Sequence, residues 1–433
     1  MKEKLQTQPY KGARDFYPED MKIRNFIFDT WKKVCKSYGY EEYDGPFIES
    51  FDIFAAKSGE ELVNEQLYSF EDKGKRKVAI RPEMTPTLAR MVAEKFNELL
   101  RPIRWFSIPN LWRYEKPQRG RSREFYQLNV DVFGIEGVEA DLEVILTAID
   151  IFKAFGAKEG MFEIRVNNRR LADDFYKKLG LDKDQKKVVN KALDKKSKII
   201  QEEFDKWLID DAKMSSEQIK LLNDFLADPL PVVKELSKDS QGAEELLSLI
   251  DMVTTQKLEG FVKYDPSIIR GLDYYTGNVF EIYDLNPKNI RAMAGGGRYD
   301  DLVTIFKGER LTGTGYAMGD ITLKDFLESW DLLPKIESEC EYLITLWPSQ
   351  DNRYLEKTLE ISSLIREKGK NVQTWLEPNT KLEKQLKFAD KKGIKYAIIV
   401  GENELSSGNV TLKNLIDKSQ ETKPLEKLLS DIK

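Results

Sequence analysis

The sequence predicts an α+β protein in two parts, a large domain on antiparallel strands with a helical insertion and then a small α/β domain. Three observations predict it. Short strand-like runs recur between flanking helices as far as residue 283. A Lys- and Asp-rich helical stretch from about 168 to 260 interrupts them. The final stretch alternates strand, helix, strand, helix, strand, the order of a mostly parallel sheet.

The elements follow in order. Apolar Ile23, Ile27, Trp31 and Val34 recur at helical spacing over 21–37, and Gly39 ends that helix. Residues 77–80 and 103–108 are short strands. Two more, 112–115 and 125–133, flank a basic loop. A helix over 139–155 carries Leu142, Ile145, Ile149 and Phe152 on one face and stops at Gly156. Residues 162–167 form a strand, and strand signals resume at Phe261 and over 279–283 after the insertion. In the tail, strands at 342–347, 372–376 and 396–400 alternate with helices at 353–368 and 381–392. These limits predict domains at 1–333 and 338–433, with the boundary around Pro334.

Composition narrows the chemistry. The chain has 433 residues, 41% hydrophobic and 33% charged, the balance of a globular protein with material for a core. A net charge of −5 excludes a generic polyanion binder, so nucleic-acid contact requires local basic patches. There are two cysteines, far apart, and no histidine, which excludes Cys/His zinc sites and catalysis by Ser/His or Cys/His pairs. Arginines, carboxylates and tyrosines remain, an inventory that suits charge stabilisation at phosphates. The two lone cysteines suit a reducing cytoplasm, and no signal-like or membrane-length apolar run is present.

Five segments carry candidate chemistry. In residues 111–134, LWRYEKPQRGRSREFYQLNVDVFG, strand alternation puts Arg113 and Glu115 on one face of the first strand. In the second strand Tyr126, Leu128, Val130 and Val132 form an apolar face, opposite Phe125, Gln127, Asn129, Asp131 and Phe133. That opposite face is either solvated, the commoner meaning of alternation, or a polar binding surface. The loop between carries Lys116, Arg119, Arg121 and Arg123. Residues 81–85, RPEMT, read as a helix start. Residues 269–283, IRGLDYYTGNVFEIY, set Arg270, Asp273, Tyr274 and Tyr275 on a tight turn ahead of a strand. Residues 294–300, AGGGRYD, are either a flexible loop or backbone that a ligand approaches closely. Residues 311–323, LTGTGYAMGDITL, lead into a helix from about Thr322.

Together these segments resemble the histidyl-tRNA synthetase family. The order of three class II synthetase motifs, the IRGLDYYTGNVFEIY and AGGGRYD segments, and a tail similar to an anticodon-binding domain carry the resemblance. It implies a class II antiparallel-sheet catalytic domain that activates L-histidine with ATP and Mg²⁺, then charges tRNA(His). By resemblance, Arg113 and Arg270 are catalytic. Glu83, Thr85, Arg113, Gln127, Asp131, Arg270, Tyr274 and Tyr275 hold histidine. Arg113, Glu115, Arg121 and Phe125 hold ATP, and the magnesium ligands are unknown. The resemblance also implies a cytoplasmic homodimer, with residues 43–49 in its interface and no membrane association. One position departs from the family: the third motif's arginine, which binds the γ-phosphate, is replaced by Thr322. Arg121, Arg123 and Arg298 are candidates to replace its charge. A lysine stripe at Lys381, Lys384, Lys387 and Lys391 is either a solvated face or a phosphate contact. Two rival functions are a histidine-sensing regulatory subunit of ATP phosphoribosyltransferase and a tRNA-binding protein with a degenerate core.

Overall fold

A computed structural model describes residues 5–56, 62–196, 199–268 and 274–432. The chain divides into two compact units, Met1–Pro334 and Lys335–Lys433.

In the first unit α1 (Pro18–Ser37) begins with Pro18, whose missing N–H costs nothing at a helix start, and buries Ile27, Trp31, Val34 and Cys35. Then come β1 (Glu41–Glu42), β2 (Ile48–Ser50), α2 (Phe51–Ala55), β3 (Ser69–Glu71), β4 (Lys77–Ile80) and α3 (Thr85–Glu94). Strands β5 (Ile103–Ser107), β6 (Asn110–Trp112) and β7 (Glu124–Phe133) follow, then α4 (Glu139–Ala154) and β8 (Phe162–Asn168).

Among the described residues, six helices fill the interval before the next strand: α5 (Arg169–Lys178), α6 (Lys183–Lys195), α7 (Gln201–Asp210), α8 (Ser216–Ala227), α9 (Pro229–Leu236) and α10 (Gln241–Thr255). Their starts are written in the sequence. Asn168, Asp182, Ser215 and Ser240 each accept a backbone N–H of the first turn. The unit closes with β9 (Val262–Tyr264), β10 (Asn278–Asp284), β11 (Ala292–Arg298), α11 (Thr304–Lys307), β12 (Gly313–Gly319) and α12 (Asp320–Ser329).

The main sheet runs β1-β5-β7-β12-β11-β10-β8-β9, with β6 also paired to β7. Its central pairs are antiparallel. Leu128, Val130, Val132, Phe280, Ile282, Tyr316 and Met318 point into one core with Trp31 of α1 and Phe152 of α4. The other face of β7 is covered too: Phe133 packs with Tyr274, Tyr275, Val279 and Tyr299, and Asn129 and Asp131 are buried. The polar side of β7 is therefore not a solvent face.

Three local expectations change. Pairing of β6 stops at Trp112, so Arg113 and Glu115 lie beyond the strand, where the Arg113 N–H reaches Arg123 O at 2.9 Å. The triple-glycine run is a central strand, β11, rather than a loop. It holds because a side chain at Gly296 would collide with Gly315 O and Tyr316 of the neighbouring strand. Helix α12 starts at Asp320, two residues before the expected Thr322.

The second unit contains β13 (Tyr342–Ile344), α13 (Asn352–Glu367), β14 (Val372–Thr374), α14 (Leu382–Lys391), β15 (Tyr396–Ile399), α15 (Glu402–Ser407), β16 (Asn409–Asn414), β17 (Gln420–Pro424) and α16 (Leu425–Asp431). Its sheet order is β14-β13-β15-β16-β17. The first three strands are parallel, as the alternating pattern requires, and an antiparallel hairpin completes the sheet.

Candidate active site

Strand β7 supplies the axis of the site. Phe125, Gln127, Asn129 and Asp131 follow one another along the same face at two-residue steps, so the row extends about 20 Å. At its inner end Asp131 sits opposite Gly315 of β12, which sits opposite Gly297 of β11, which sits opposite Val279 of β10. Two glycines side by side leave a trough beside the carboxylate. A side chain at Gly315 would meet Asp131 Oδ1, and one at Gly297 would come within 3.0 Å of the Tyr275 ring.

Asp131 is 3% exposed. The Tyr299 hydroxyl donates to its Oδ1, while Oδ2 has no partner among the described residues. Burial outweighs the hydrogen bond and pushes the carboxyl up to about 7. The same pair raises the Tyr299 phenol well above its usual value, first through burial and then through the carboxylate. Tyr274 and Tyr275 close over the pocket, their rings 6.0 and 6.5 Å from that of Tyr299. The Tyr274 hydroxyl donates to Glu83 Oε2 at 3.3 Å, joining the segment ahead of α3 to the pocket.

That segment is well anchored. Arg81 is buried and donates to Asp44 Oδ1 at 2.7 Å, Gly45 O at 2.7 Å and Asn110 O at 3.0 Å. The next carbonyl, Pro82 O, accepts Arg113 Nε at 2.9 Å. Arg113 also lies over the Phe125 ring, 5.2 Å from its centroid, so its guanidinium is oriented from two sides.

The outer end is a hairpin loop. Gln118 and Arg121 exchange backbone hydrogen bonds around Gly120, whose φ of 73° favours glycine. Arg121 Nε lies 3.4 Å from Glu115 Oε2. An N-terminal strap fixes the loop: Gly12 O accepts the N–H groups of Arg123 and Glu124 and the Ser122 hydroxyl. Arg14, on the same strap, pairs with Asp320 at the start of α12 at 2.9 Å.

Glu83, Arg113, Asp131, Tyr274 and Tyr275 therefore converge, and Glu115, Arg121 and Phe125 gather at the outer end. Thr85 opens α3, and Gln127 lies in the row. Both are half-buried, and neither side chain makes a hydrogen bond among the described residues. Arg270 and Asp273 lie outside the described residues.

Two candidates for the missing third-motif charge are occupied elsewhere. Arg298 is buried against Asp141 at 3.1 Å and donates to three carbonyls, those of Ile135, Glu136 and Gly137. Arg123 stacks on Tyr114 at 3.9 Å and donates to Tyr10. Sequence reasoning missed Arg291, which lies beside the hairpin tip just ahead of β11. No motif marks it.

Magnesium needs oxygen ligands. Among the described residues no three acidic, cysteine or histidine side chains gather to hold a metal. Asp131 is engaged by Tyr299 and Glu115 by Arg121.

Residues 12–322 match the family model described as histidyl-tRNA synthetase, and residues 343–433 match an anticodon binding domain. A histidine–tRNA ligase of Leptospira biflexa is 45% identical over 100% of this chain and 99% of its own. One from Thermoplasma volcanium is 37% identical over 96% of each chain. The crystal structure of histidyl-tRNA synthetase from Nostoc sp. PCC 7120 superposes with a TM-score of 0.82 at 26% identity, covering 99% of both chains. A Bacillus halodurans structure titled as an ATP phosphoribosyltransferase regulatory subunit/histidyl-tRNA synthetase shares the fold, at TM-score 0.73 and 22% identity over 90% of this chain and 97% of its own. The chain belongs to the histidyl-tRNA synthetase family.

Proposed function

We propose that this protein is a histidine–tRNA ligase that activates L-histidine with ATP to histidyl-adenylate and transfers it to the 3′ end of tRNA(His). One observation carries the reading: a single strand face runs from a buried, half-satisfied carboxylate at Asp131 to an arginine stacked on an aromatic ring at Phe125. That is the order needed to bind an imidazole at one end and a nucleotide at the other.

The imidazole N–H of the substrate donates to Asp131 Oδ2, and a side chain without that donor leaves the oxygen buried and unpaired. Glu83 and Thr85, with Gln127, take the α-amino group. Phe125 stacks on adenine and Glu115 accepts from its amino group. Arg113 holds the substrate carboxylate against the α-phosphate, Arg121 reaches the phosphates, and Arg270 offsets their charge as they meet. A carboxylate oxygen of histidine attacks the α-phosphorus, the bond to the β-phosphate oxygen breaks, and pyrophosphate leaves. A ribose hydroxyl at the tRNA 3′ end then attacks the histidyl carbonyl, and AMP departs with the electron pair. Fixed positive charge is the main help such a meeting of anions can receive. Bound Mg²⁺ would arrive with the nucleotide on its phosphate oxygens and neutralise charge there.

The match of residues 343–433 to an anticodon binding domain favours this reading over a histidine sensor. A homodimer fits the exposure of Phe47 and Ile48 in the segment expected at the interface. We place the protein in the cytoplasm, in keeping with its two free cysteines. No described helix is long and apolar enough to cross a membrane.

Amino-acid-dependent ATP–pyrophosphate exchange tests the reading. Exchange with histidine alone among the amino acids is expected. Histidine binding without exchange would overturn it in favour of the sensor.

A further inference from the structure

The outer end of the groove gathers Arg121 and Arg291 beside Glu115, with Asp325 also close to the hairpin tip. Arg291 stands immediately before β11, and β11 lies beside β12, which runs directly into α12. A side chain placed at Gly120, the hairpin tip, would be 3.3 Å from Arg291 Cδ and 3.3 Å from Thr322 Cγ2. Hairpin tip, helix start and Arg291 thus share one neighbourhood.

Thr322 contributes no charge there, and its hydroxyl turns back to the backbone, donating to Met293 O at 3.2 Å and Gly319 O at 3.3 Å. Arg291 is half-buried, yet makes no hydrogen bond or ion pair among the described residues. Burial and the nearby Arg121 hold its guanidinium below the usual value, and Glu115 offsets them only in part. Glu115 is already paired with Arg121. Two arginines that repel each other beside Glu115 are relieved by a polyanion.

We infer that Arg291 binds the terminal phosphates of ATP, supplying from just ahead of β11 a charge that the start of α12 lacks. This rests on the proposed ligase reading for the identity of the anion. Arg123 and Arg298 cannot serve, since Tyr10, Tyr114 and Asp141 occupy them.

The test uses the full chain and two measurements: ATP and AMP affinity by calorimetry, and histidine-dependent exchange. Arg291→Ala should weaken ATP binding by about ten- to hundredfold, the effect of losing a charged hydrogen bond. AMP affinity and the KM for histidine should stay within about twofold. Arg291→Lys should retain part of the affinity. Arg291→Ala combined with Thr322→Arg should recover ATP affinity, a readout that a merely structural role would not move. Unchanged ATP affinity in Arg291→Ala, or equal losses for ATP and AMP, would overturn the inference. Failure of the wild-type chain to exchange would instead overturn the ligase reading, and the calorimetric comparison would still decide the role of Arg291.

Discussion

Tyr299 donates its hydroxyl to the oxygen of Asp131 that lies against Gly315 and leaves the other oxygen of that carboxylate buried with no partner among the described residues. One residue fixes the orientation of the acid, and the acid keeps one lone-pair edge for a ligand.

Asp131→Asn separates recognition from stability. The folded-state carboxyl titrates near 7, above its usual 3.8, so the native state holds a proton that the unfolded chain loses first. Its contribution to stability is full below about 4 and is lost as pH rises through about 7. Asparagine carries no charge to bury. The melting temperature of Asp131→Asn minus that of the wild type should therefore grow between pH 4 and 7, then level off, having risen by about 5 °C. Histidine-dependent exchange should fall about 10- to 100-fold, because an amide N–H would face the imidazole N–H. Calorimetry across pH, paired with exchange assays, checks both.

Gly315→Ala should empty the pocket of its acceptor without touching the nucleotide end. The added methyl would run into Asp131 Oδ1 and approach the Tyr299 hydroxyl at 2.9 Å. Displacing the pair should cost about 1–3 kcal/mol of stability. Histidine affinity should drop about tenfold or more, with ATP affinity changed less than about twofold, as read by separate titrations.

Arg298→Met should behave as a core lesion. It strands Asp141, which keeps the Asn278 amide at 2.9 Å. Breaking a buried ion pair in this way costs about 3–5 kcal/mol. Urea unfolding should show that loss, while the KM for ATP of the folded protein stays near wild type. A large KM change with normal stability would instead place Arg298 at the phosphates.

The period-two text of β7 made both of its faces legible before any fold was known, because Leu128, Val130 and Val132 can share a side only in a strand. The burial of the second face was not legible, since the residues that cover it, Tyr274, Tyr275 and Tyr299, come from distant turns and strands. Strand β11 was obscured by its composition: glycine has little strand preference, and only the facing Tyr316 and Gly315 require it there. The hairpin β16–β17 was missed for a similar reason, its residues being mostly polar. Arg291 gave no signal at all, because its meaning depends on a gap at Thr322 two strands' length away in the chain.

The strap that carries Gly12 and Arg14 sets an order of events during synthesis. Arg14 leaves the ribosome early, but its partner Asp320 follows about 300 residues later, a wait of roughly 15–60 s at ordinary elongation rates. Through that interval the basic hairpin loop has no fixed partner on the helix side, and the nascent chain carries an unfinished polyanion site. The nucleotide end of the groove is thus among the last parts of the first unit to be completed, although the residues that lock it are among the first to be made.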